Sequence, residues 1–219
     1  MPDKYLRLDR TVYRYMARLR SDAGDRSLRQ LRDETEALGK ISICQISAEQ
    51  GTFLSILVAA LEVRTAIEVG TFTGYSSICI ARALPRNGKL ITLDQDENWT
   101  AIARRYWKCA SLATRIDLRL GAAITSLKRL EKGLTFDFAF IDAEKTEYDD
   151  YYELILPHVR KNGLILFDNM LKEGQVARKP ITDPRAKAVD VLNRKLAKDK
   201  RIEAVLVPIA DGIQICRKR

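Results

Sequence analysis

Five residues whose side chains could bind a cation or move a proton stand at or just beyond the ends of two predicted strands. They are Asp142, Glu144, Lys145, Asp168 and Asn169. The strands, 137–142 and 162–167, are short apolar stretches of the kind that is buried on both faces of a sheet. In open α/β sheets, ligands bind beyond the carboxyl ends of the strands. The sequence therefore predicts that carboxylates, an amide and an amine meet at one edge of a sheet.

A second group of residues indicates a nucleotide-like ligand. The predicted strand 65–69 ends in a turn with glycines at positions 70 and 74, where the backbone can pass close to a ligand and the next helix offers free N–H groups. Asp94 ends the following strand, where a carboxylate can accept hydrogen bonds from a ribose diol. Phe72 stands where the dinucleotide fingerprint has its second glycine, which disfavours a nicotinamide dehydrogenase. The pattern predicts an adenosyl ligand.

Glu68 is an unusual residue for a buried strand, because a buried carboxylate needs a partner. Two interpretations follow from this position. The side chain could reach an amine or hydroxyl of the ligand, or it could be an internal acid that caps a helix.

Strands and helices alternate from residue 65 onward. The candidate strands are 65–69, 89–94, 115–119, 137–142, 162–167, 202–207 and 212–217, and the candidate helices are 75–84, 97–111, 122–131, 147–157 and 184–197. This alternation predicts right-handed βαβ units and a mostly parallel sheet. Only a short turn with Asp211-Gly212 separates the last two strands, so they are predicted to form an antiparallel hairpin. The stretch 172–184 is the longest loop and a candidate lid over the substrate.

The region before the first strand carries helical patterns. They cover 3–20, 25–38 and 47–61. We expect one domain over residues 1–219, with 1–62 as a helical N-terminal extension and 63–219 as the cofactor-binding and catalytic core.

The composition describes a soluble globular protein, with 46% apolar and 31% charged residues. No apolar run approaches the roughly 20 residues that span a bilayer, and the N-terminus lacks the apolar core of a secretory signal. We therefore expect no membrane partner. Four scattered cysteines, without a Cys-x-x-Cys pair, argue against a zinc site or a disulfide framework and favour the cytoplasm.

The net charge of +9 lies mainly in the last quarter of the chain. Residues 172–219 carry thirteen Lys/Arg and six Asp/Glu. A basic surface of this kind suits RNA or a phosphorylated substrate. The alternative is an ordinary solvated helix face around residues 194–201.

Four motifs together carry a resemblance to a known family. They read Glu-Val-Gly-Thr-Phe-Thr-Gly-Tyr-Ser from residue 68, Leu-Asp-Gln-Asp from 93, Ile-Asp-Ala-Glu-Lys from 141 and Phe-Asp-Asn from 167. The chain resembles the class I S-adenosylmethionine-dependent O-methyltransferases, and most closely the cation-dependent caffeoyl-CoA type, which is related to catechol O-methyltransferase. The resemblance implies an α/β fold: a doubly wound, Rossmann-like, seven-stranded and mostly parallel sheet with an antiparallel last strand.

The resemblance also implies which residues contact the cofactor, S-adenosylmethionine. By position these are Ile46, Glu68, Gly70, Thr71, Ser76, Asp94, Ala123, Asp142 and Glu144. Asp94 is expected to hold the ribose hydroxyls, and Gly70 is expected to pass beneath the methionine part.

The implied metal ligands are Asp142, Asp168 and Asn169. Two carboxylates and an amide oxygen suit Mg²⁺, or another hard cation such as Mn²⁺ or Ca²⁺. Asp142 and Lys145 are the expected catalytic residues, with Lys145 as the base if its pKa is lowered by the cation and burial. The implied acceptor is a catechol-like hydroxylated aromatic molecule, and the implied assembly is a homodimer.

Three residues depart from the family pattern. Glu144 stands where the family usually has Asp, and Lys172 and Glu173 stand where the plant-type enzymes have an aromatic residue and an asparagine. These changes suggest a polar acceptor other than caffeoyl-CoA. Two other functions remain open: methylation of a hydroxylated tRNA nucleoside, and a non-catalytic protein that binds the cofactor and interacts with partners.

Overall fold

A seven-stranded sheet forms the centre of the protein. The computed structural model describes residues 8–22 and 24–219. The strands are β1 Thr65–Val69, β2 Lys89–Asp94, β3 Ile116–Leu120, β4 Phe136–Ile141, β5 Val159–Phe167, β6 Ile202–Val207 and β7 Ile213–Lys218. Their order across the sheet is β3-β2-β1-β4-β5-β7-β6. Strands β1 to β5 pair in parallel, and β7 runs antiparallel to both of its neighbours. The predicted doubly wound fold with a reversed last strand is confirmed.

The chain direction across the sheet reverses between β1 and β4. These two strands are adjacent although three helices and two strands separate them in the sequence. In doubly wound sheets this reversal opens a crevice beyond the carboxyl ends of the two strands. The residues that follow Val69 and Ile141 therefore face the same crevice.

Eight α-helices accompany the sheet within the described residues. They are α1 Arg10–Arg18, α2 Arg26–Glu36, α3 Ala48–Ala60, α4 Tyr75–Ala83, α5 Glu97–Cys109, α6 Ala123–Lys128, α7 Tyr148–Ile155 and α8 Pro184–Leu196. The predicted capping box at the start of α3 is present, with Ser47 and Gln50 exchanging hydrogen bonds. Helix α7 ends before its predicted boundary because Pro157 has no N–H to continue it, and a 3₁₀ turn follows at Leu156–His158.

Two apolar cores cover the two faces of the sheet. One contains side chains from α2, α3, α4 and α5, among them Leu31, Leu54 and Ile78, and the other contains side chains from α7 and α8, among them Tyr152 and Val189. Each core holds fully buried residues of β1 and β4, since successive residues of a strand point to opposite faces. Both faces are therefore packed, as a parallel sheet requires.

The N-terminal region covers the turn that follows β1. Thr35 of α2 hydrogen-bonds to Thr73 of that turn at 3.0 Å, and the Gln45 amide donates to both hydroxyls. Helix α1 differs, because none of its residues is buried and Tyr15 and Met16 are among its exposed apolar side chains. Residues 3–7 of the predicted first helix lie outside the described residues.

Within the described residues, one stretch, Gly39–Ala60, has the length and the mean hydropathy of a membrane-spanning helix. The stretch contains Lys40 and Glu49, so it is apolar on average and is not an uninterrupted apolar run. The stretch is not one continuous helix. A 3₁₀ helix, Gly39–Cys44, is separated from α3 by extended backbone at Gln45 and Ser47, and Leu54 and Val58 pack in the core.

Candidate functional site

A cavity of about 1150 Å³ opens beyond the carboxyl ends of the parallel strands. Eleven of the twelve residues predicted for the site line it: Ile46, Gly70, Thr71, Ser76, Asp94, Ala123, Asp142, Glu144, Lys145, Asp168 and Asn169. The exception is Glu68. Pockets for one drug-sized ligand measure roughly 300–1,000 Å³, so this cavity has room for a cofactor and a second molecule.

Gly70 forms the closest contact between the two halves of the cavity. Its backbone has a φ of +95°, and a Cβ atom there would lie 1.9 Å from the carbonyl oxygen of Asp142. Only glycine adopts this conformation without strain and leaves room for the neighbouring backbone. The ends of β1 and β4 therefore approach each other because position 70 has no side chain.

Asp94 holds the turn after β1 in place. Its Oδ2 accepts hydrogen bonds from the N–H groups of Thr71 and Phe72 at 2.9 and 2.8 Å, and its Oδ1 accepts one from the N–H of Asp96 at 2.9 Å. A carboxylate offers about four acceptor positions. One position remains for a ligand hydroxyl at this wall of the cavity.

Glu68 lies behind the cavity wall and has no exposed surface. Its Oε2 accepts hydrogen bonds from the hydroxyls of Ser77, in α4, and Thr92, in β2, while Oε1 has no partner among the described residues. Burial raises the pKa of Glu68 to about 7, although these hydroxyls act in the opposite direction. Of the two interpretations of Glu68, the geometry favours an internal acid that holds helix α4 over a residue that contacts a ligand directly.

Two aromatic side chains form the wall beside Asp94. Phe72 and Trp99 both line the cavity, and their rings meet edge to face with centroids 5.6 Å apart. Tyr106 and Trp107, which belong to the same helix as Trp99, are buried in the core. The flat apolar surface at Phe72 and Trp99 suits an aromatic base.

Lys145 forms an ion pair with Asp142 in the other half of the cavity. Its Nζ lies 2.8 Å from Asp142 Oδ1 and 4.9 Å from the centre of the Tyr148 ring. Burial lowers the pKa of the Lys145 ammonium, but the Asp142 carboxylate and Tyr148 raise it, and the net direction is upward. The pKa of Lys145 is therefore raised and not lowered as expected, because the Asp142 carboxylate stabilises the ammonium.

Asp168 and Asn169 stand at the end of the neighbouring strand β5. Asp168 is 3% exposed, and its Oδ1 accepts hydrogen bonds from Gln50 Nε2 and from the N–H of Asn169, both at 2.7 Å. Burial and the charge of Asp142 both raise the pKa of Asp168. Asp142 and Asp168 thus bring two carboxyl groups close together, and Lys145 pairs with Asp142 alone among the described residues, so the arrangement suits a divalent cation.

The described residues contain no cluster of three or more His, Cys, Asp and Glu side chains with the geometry of a metal site. The candidate set has only two carboxylates, and its third member is the amide of Asn169. The donor set is therefore one of hard oxygen ligands, which suits Mg²⁺, Mn²⁺ or Ca²⁺ better than zinc.

Glu144 is paired with a residue that the sequence analysis did not single out. Arg185, at the start of α8, donates through Nε and Nη2 to the two carboxylate oxygens of Glu144 at 3.0 and 2.7 Å. This two-point contact occupies the carboxylate that was predicted to contact the cofactor. The sequence holds no local signal for the pair, because 41 residues separate its members.

The loop of residues 170–174 borders the cavity next to Asn169. Lys172 and Glu173 line the cavity and form an ion pair with each other at 3.3 Å. The turn between β6 and β7 holds this loop: Asp211 O accepts from the N–H of Leu171 at 2.9 Å, and Asp211 Oδ1 accepts from the N–H of Glu173 at 2.6 Å. The two departures from the family pattern thus lie on the cavity wall.

About half of the basic residues of the last quarter are paired with acids. Seven of the thirteen Lys and Arg residues in 172–219 form ion pairs: Lys172, Lys179, Arg185, Arg194, Lys195, Arg201 and Arg217. A Lys or Arg side chain that is paired with a carboxylate is less available to bind the phosphates of a nucleic acid. The structure therefore gives less support to an RNA-binding face than the net charge does.

Comparison with known proteins identifies relatives over most of the chain. The family model described as O-methyltransferase matches residues 19–219. A probable caffeoyl-CoA O-methyltransferase 1 of Dictyostelium discoideum is 39% identical over 175 residues, which are 78% of this chain and 76% of the relative. The caffeoyl-CoA O-methyltransferase of Petroselinum crispum is 35% identical over 203 residues, 88% of this chain and 83% of the relative.

A solved structure has the same fold. The O-methyltransferase from Bacillus cereus in complex with SAH superposes with a TM-score of 0.87 and 30% identity, over 95% of this chain and 97% of that one.

Proposed function

The chain belongs to the O-methyltransferase family, as a class I S-adenosylmethionine-dependent enzyme of the caffeoyl-CoA O-methyltransferase type. From this premise we propose that it methylates a hydroxyl of a catechol-like small molecule and that a divalent cation assists the reaction. The observation that carries the proposal is the arrangement of Asp142, Lys145, Asp168 and Asn169 on one wall of the cavity. The domain over residues 1–219, with its extension 1–62, is proposed as the catalytic unit.

S-adenosylmethionine supplies an electrophilic methyl group when it binds. We place its adenosine beside Phe72 and Trp99 and its ribose at the free acceptor position of Asp94. The methionine part would lie along the turn at Gly70, where the absence of a side chain leaves room. Ile46, Thr71, Ser76 and Ala123 border this half of the cavity. The contribution of the protein is to align the methyl group with the acceptor.

Asp142, Asp168 and Asn169 are the proposed ligands of Mg²⁺, with Mn²⁺ and Ca²⁺ as alternatives. A bound divalent cation would lower the pKa of the acceptor hydroxyl and would balance the two carboxylates. A set of three protein ligands leaves positions open for two neighbouring hydroxyl oxygens. This is why a vicinal diol on an aromatic ring is the proposed acceptor.

Lys145 is the proposed base, and its Nζ takes the proton of the acceptor hydroxyl. The ion pair with Asp142 raises the pKa of Lys145. A divalent cation held at Asp142 would oppose this effect, and burial would then lower the pKa toward the range in which an amine acts as a base. Asp142 thus sets the protonation state of Lys145 as well as serving as a ligand.

The acceptor is proposed to be a polar hydroxylated aromatic molecule other than caffeoyl-CoA. The relatives named above carry caffeoyl-CoA in their names, but Lys172 and Glu173 line this cavity at the positions where the plant-type enzymes have an aromatic residue and an asparagine. Cationic and anionic side chains on the wall favour polar substituents on the ring. A tRNA nucleoside is the alternative acceptor, and the ion pairing of residues 172–219 disfavours it.

Methylation assays with catechol, caffeate and tRNA test the proposal. With Mg²⁺ present we expect turnover of the two diols, and we expect chelation by EDTA to reduce the rate at least about a hundredfold, since the cation contributes several kcal/mol. Re-addition of Mg²⁺ or Mn²⁺ should restore the rate. The control is a ring with a single hydroxyl, which cannot chelate.

Three results would contradict parts of the proposal. Full turnover after thorough chelation would show that the reaction does not need a divalent cation. Methylation of tRNA alone, with a steep loss at high salt, would replace the small-molecule acceptor. Binding of S-adenosylmethionine without transfer to any substrate would favour the non-catalytic alternative.

A homodimer in the cytoplasm completes the proposal. The exposed apolar side chains of α1 support self-association, and sedimentation velocity measures it directly. All four cysteines, Cys44, Cys79, Cys109 and Cys216, are free thiols, which is usual in a reducing compartment.

A further inference from the structure

Gln50 connects the start of α3 with the end of β5. The residue is 2% exposed and lies 118 positions before Asp168 in the chain. Its Oε1 accepts the backbone N–H of Ser47 at 2.7 Å, and its Nε2 donates to Asp168 Oδ1 at 2.7 Å. Both ends of the amide are therefore used, so the side chain has one preferred orientation.

The contact with Gln50 fixes the direction of the Asp168 carboxylate. Oδ1 receives two hydrogen bonds, from Gln50 and from the N–H of Asn169, whereas no described residue donates to Oδ2. Gln50 and Asp168 both line the cavity. A carboxylate held at one oxygen by two donors presents its other oxygen in a defined direction.

The donor on Gln50 is uncharged, which matters for cation binding. An amide satisfies Oδ1 without cancelling the negative charge of Asp168, whereas Asp142 is already paired with the ammonium of Lys145. Asp168 thus has a fixed orientation, and the Gln50 donor brings no positive charge that would compete with a bound cation. Outer hydrogen bonds of this kind orient metal ligands and tune their affinity.

We propose that Gln50 is a positioning residue that orients Asp168 for a divalent cation. The inference rests on the proposed function, because it takes Asp168 as a cation ligand. The capping box holds Gln50 itself in place, since the amide that donates to Asp168 also accepts the N–H of Ser47.

Mn²⁺ binding to the cofactor-free protein, followed by electron paramagnetic resonance, tests the proposal. We expect Gln50→Met, which has similar size but neither donates nor caps, to weaken Mn²⁺ binding about 10–100-fold. The control is Ser47→Ala, which removes the other half of the capping box without touching Asp168. It should bind Mn²⁺ within about twofold of the wild type, while both variants lose thermal stability as the helix cap weakens.

Two further readouts separate positioning from a structural role. In Gln50→Met the Mg²⁺ concentration for half-maximal methylation should rise about as much as the Mn²⁺ affinity falls, and the rate at saturating Mg²⁺ should recover. In the wild type, the side-chain amide resonances of Gln50 should shift when Mg²⁺ is added. That measurement needs no variant to fold.

The outcomes are distinguishable. Unchanged Mn²⁺ affinity in folded Gln50→Met, or unmoved Gln50 resonances in a wild type that binds Mg²⁺, would overturn the inference and leave the proposed function intact. Equal weakening by Ser47→Ala would also overturn it, because the effect would then come from the helix cap. A wild type that binds no divalent cation would overturn the metal role itself, and the inference with it.

Discussion

Lys145→Ala is expected to lower the rate of methyl transfer about 10²–10⁴-fold, the usual contribution of a general base, while changing the affinity for S-adenosylmethionine less than about twofold. Lys145 contacts Asp142 and Tyr148, whereas Phe72 and Trp99 form the proposed adenosine wall. Its loss should therefore affect the proton transfer and leave the cofactor contacts in place. Stopped assays with saturating Mg²⁺ give the rate, and calorimetry gives the affinity.

Lys145→Arg is the matched control for the charge. Arginine keeps the ion pair with Asp142 but does not release its proton at any physiological pH. If Lys145 acts as a base, the arginine variant should be nearly as slow as the alanine variant. A rate near that of the wild type in Lys145→Arg would mean that the position serves only to hold a positive charge, and an unchanged rate in Lys145→Ala would remove it from the mechanism.

The assays of Lys145→Ala need saturating Mg²⁺ because this substitution breaks the ion pair between Lys145 and Asp142. The side chains of Lys145 and Asp142 are 13% and 14% exposed, and Asp168 lies nearby with its pKa raised by the charge of Asp142. Removing one partner of a buried ion pair is usually costly. With a cation bound, the carboxylates stay balanced and a lost rate can be attributed to chemistry. Thermal unfolding with and without Mg²⁺ shows whether this holds.

Gly70→Ala is expected to destabilise the protein by at least about 3 kcal/mol, and so to lower its melting temperature by roughly 6–12 °C. The new Cβ would lie 1.9 Å from the carbonyl oxygen of Asp142, and the φ of +95° is strained for alanine. Because the obstacle is backbone, relief requires β1 and β4 to separate at the crevice. We expect the binding of S-adenosylmethionine to be lost as well, which calorimetry measures.

Gly133→Ala is the control that separates backbone strain from the steric clash expected in Gly70→Ala. Gly133 has a φ of +90°, yet a Cβ there meets no atom within 4 Å. This control should cost about 1–2 kcal/mol, the usual penalty for an L-residue in this region, and should leave cofactor binding intact. Equal destabilisation by the two substitutions would contradict the importance of the contact between Gly70 and Asp142.

The fold could be predicted from the sequence because the patterns that indicate its strands and turns are local. Short apolar stretches and glycine turns placed all seven strands, and the close pairing of the last two followed from the turn at Asp211-Gly212. Strand β5 begins at Val159, earlier than the predicted 162, and the pairing with β4 shifts register near Phe136. An irregularity of this kind depends on the partner strand and has no signature in the strand itself.

The sequence predicts most of the residues that line the cavity but not how they pair. Asp142 and Asp168 follow from being strand ends, since parallel strands bring their carboxyl ends to one edge. The partners Gln50 and Arg185 come from α3 and α8, which only the folded chain brings to that edge. The direction of the Lys145 pKa shift also required the structure, because burial and the Asp142 charge act in opposite directions.

The turn that leads into the reversed strand β7 makes one wall of the cavity easier to change than another. Gly70 and Asp142 constrain each other through the backbone, because a side chain at position 70 would meet the Asp142 carbonyl. Loop 170–174 is instead held by hydrogen bonds to Asp211, in the turn between β6 and β7. Under the proposed function, we expect mutations of that turn to change the substrate range while the contact between Gly70 and Asp142, and with it the reaction, is kept.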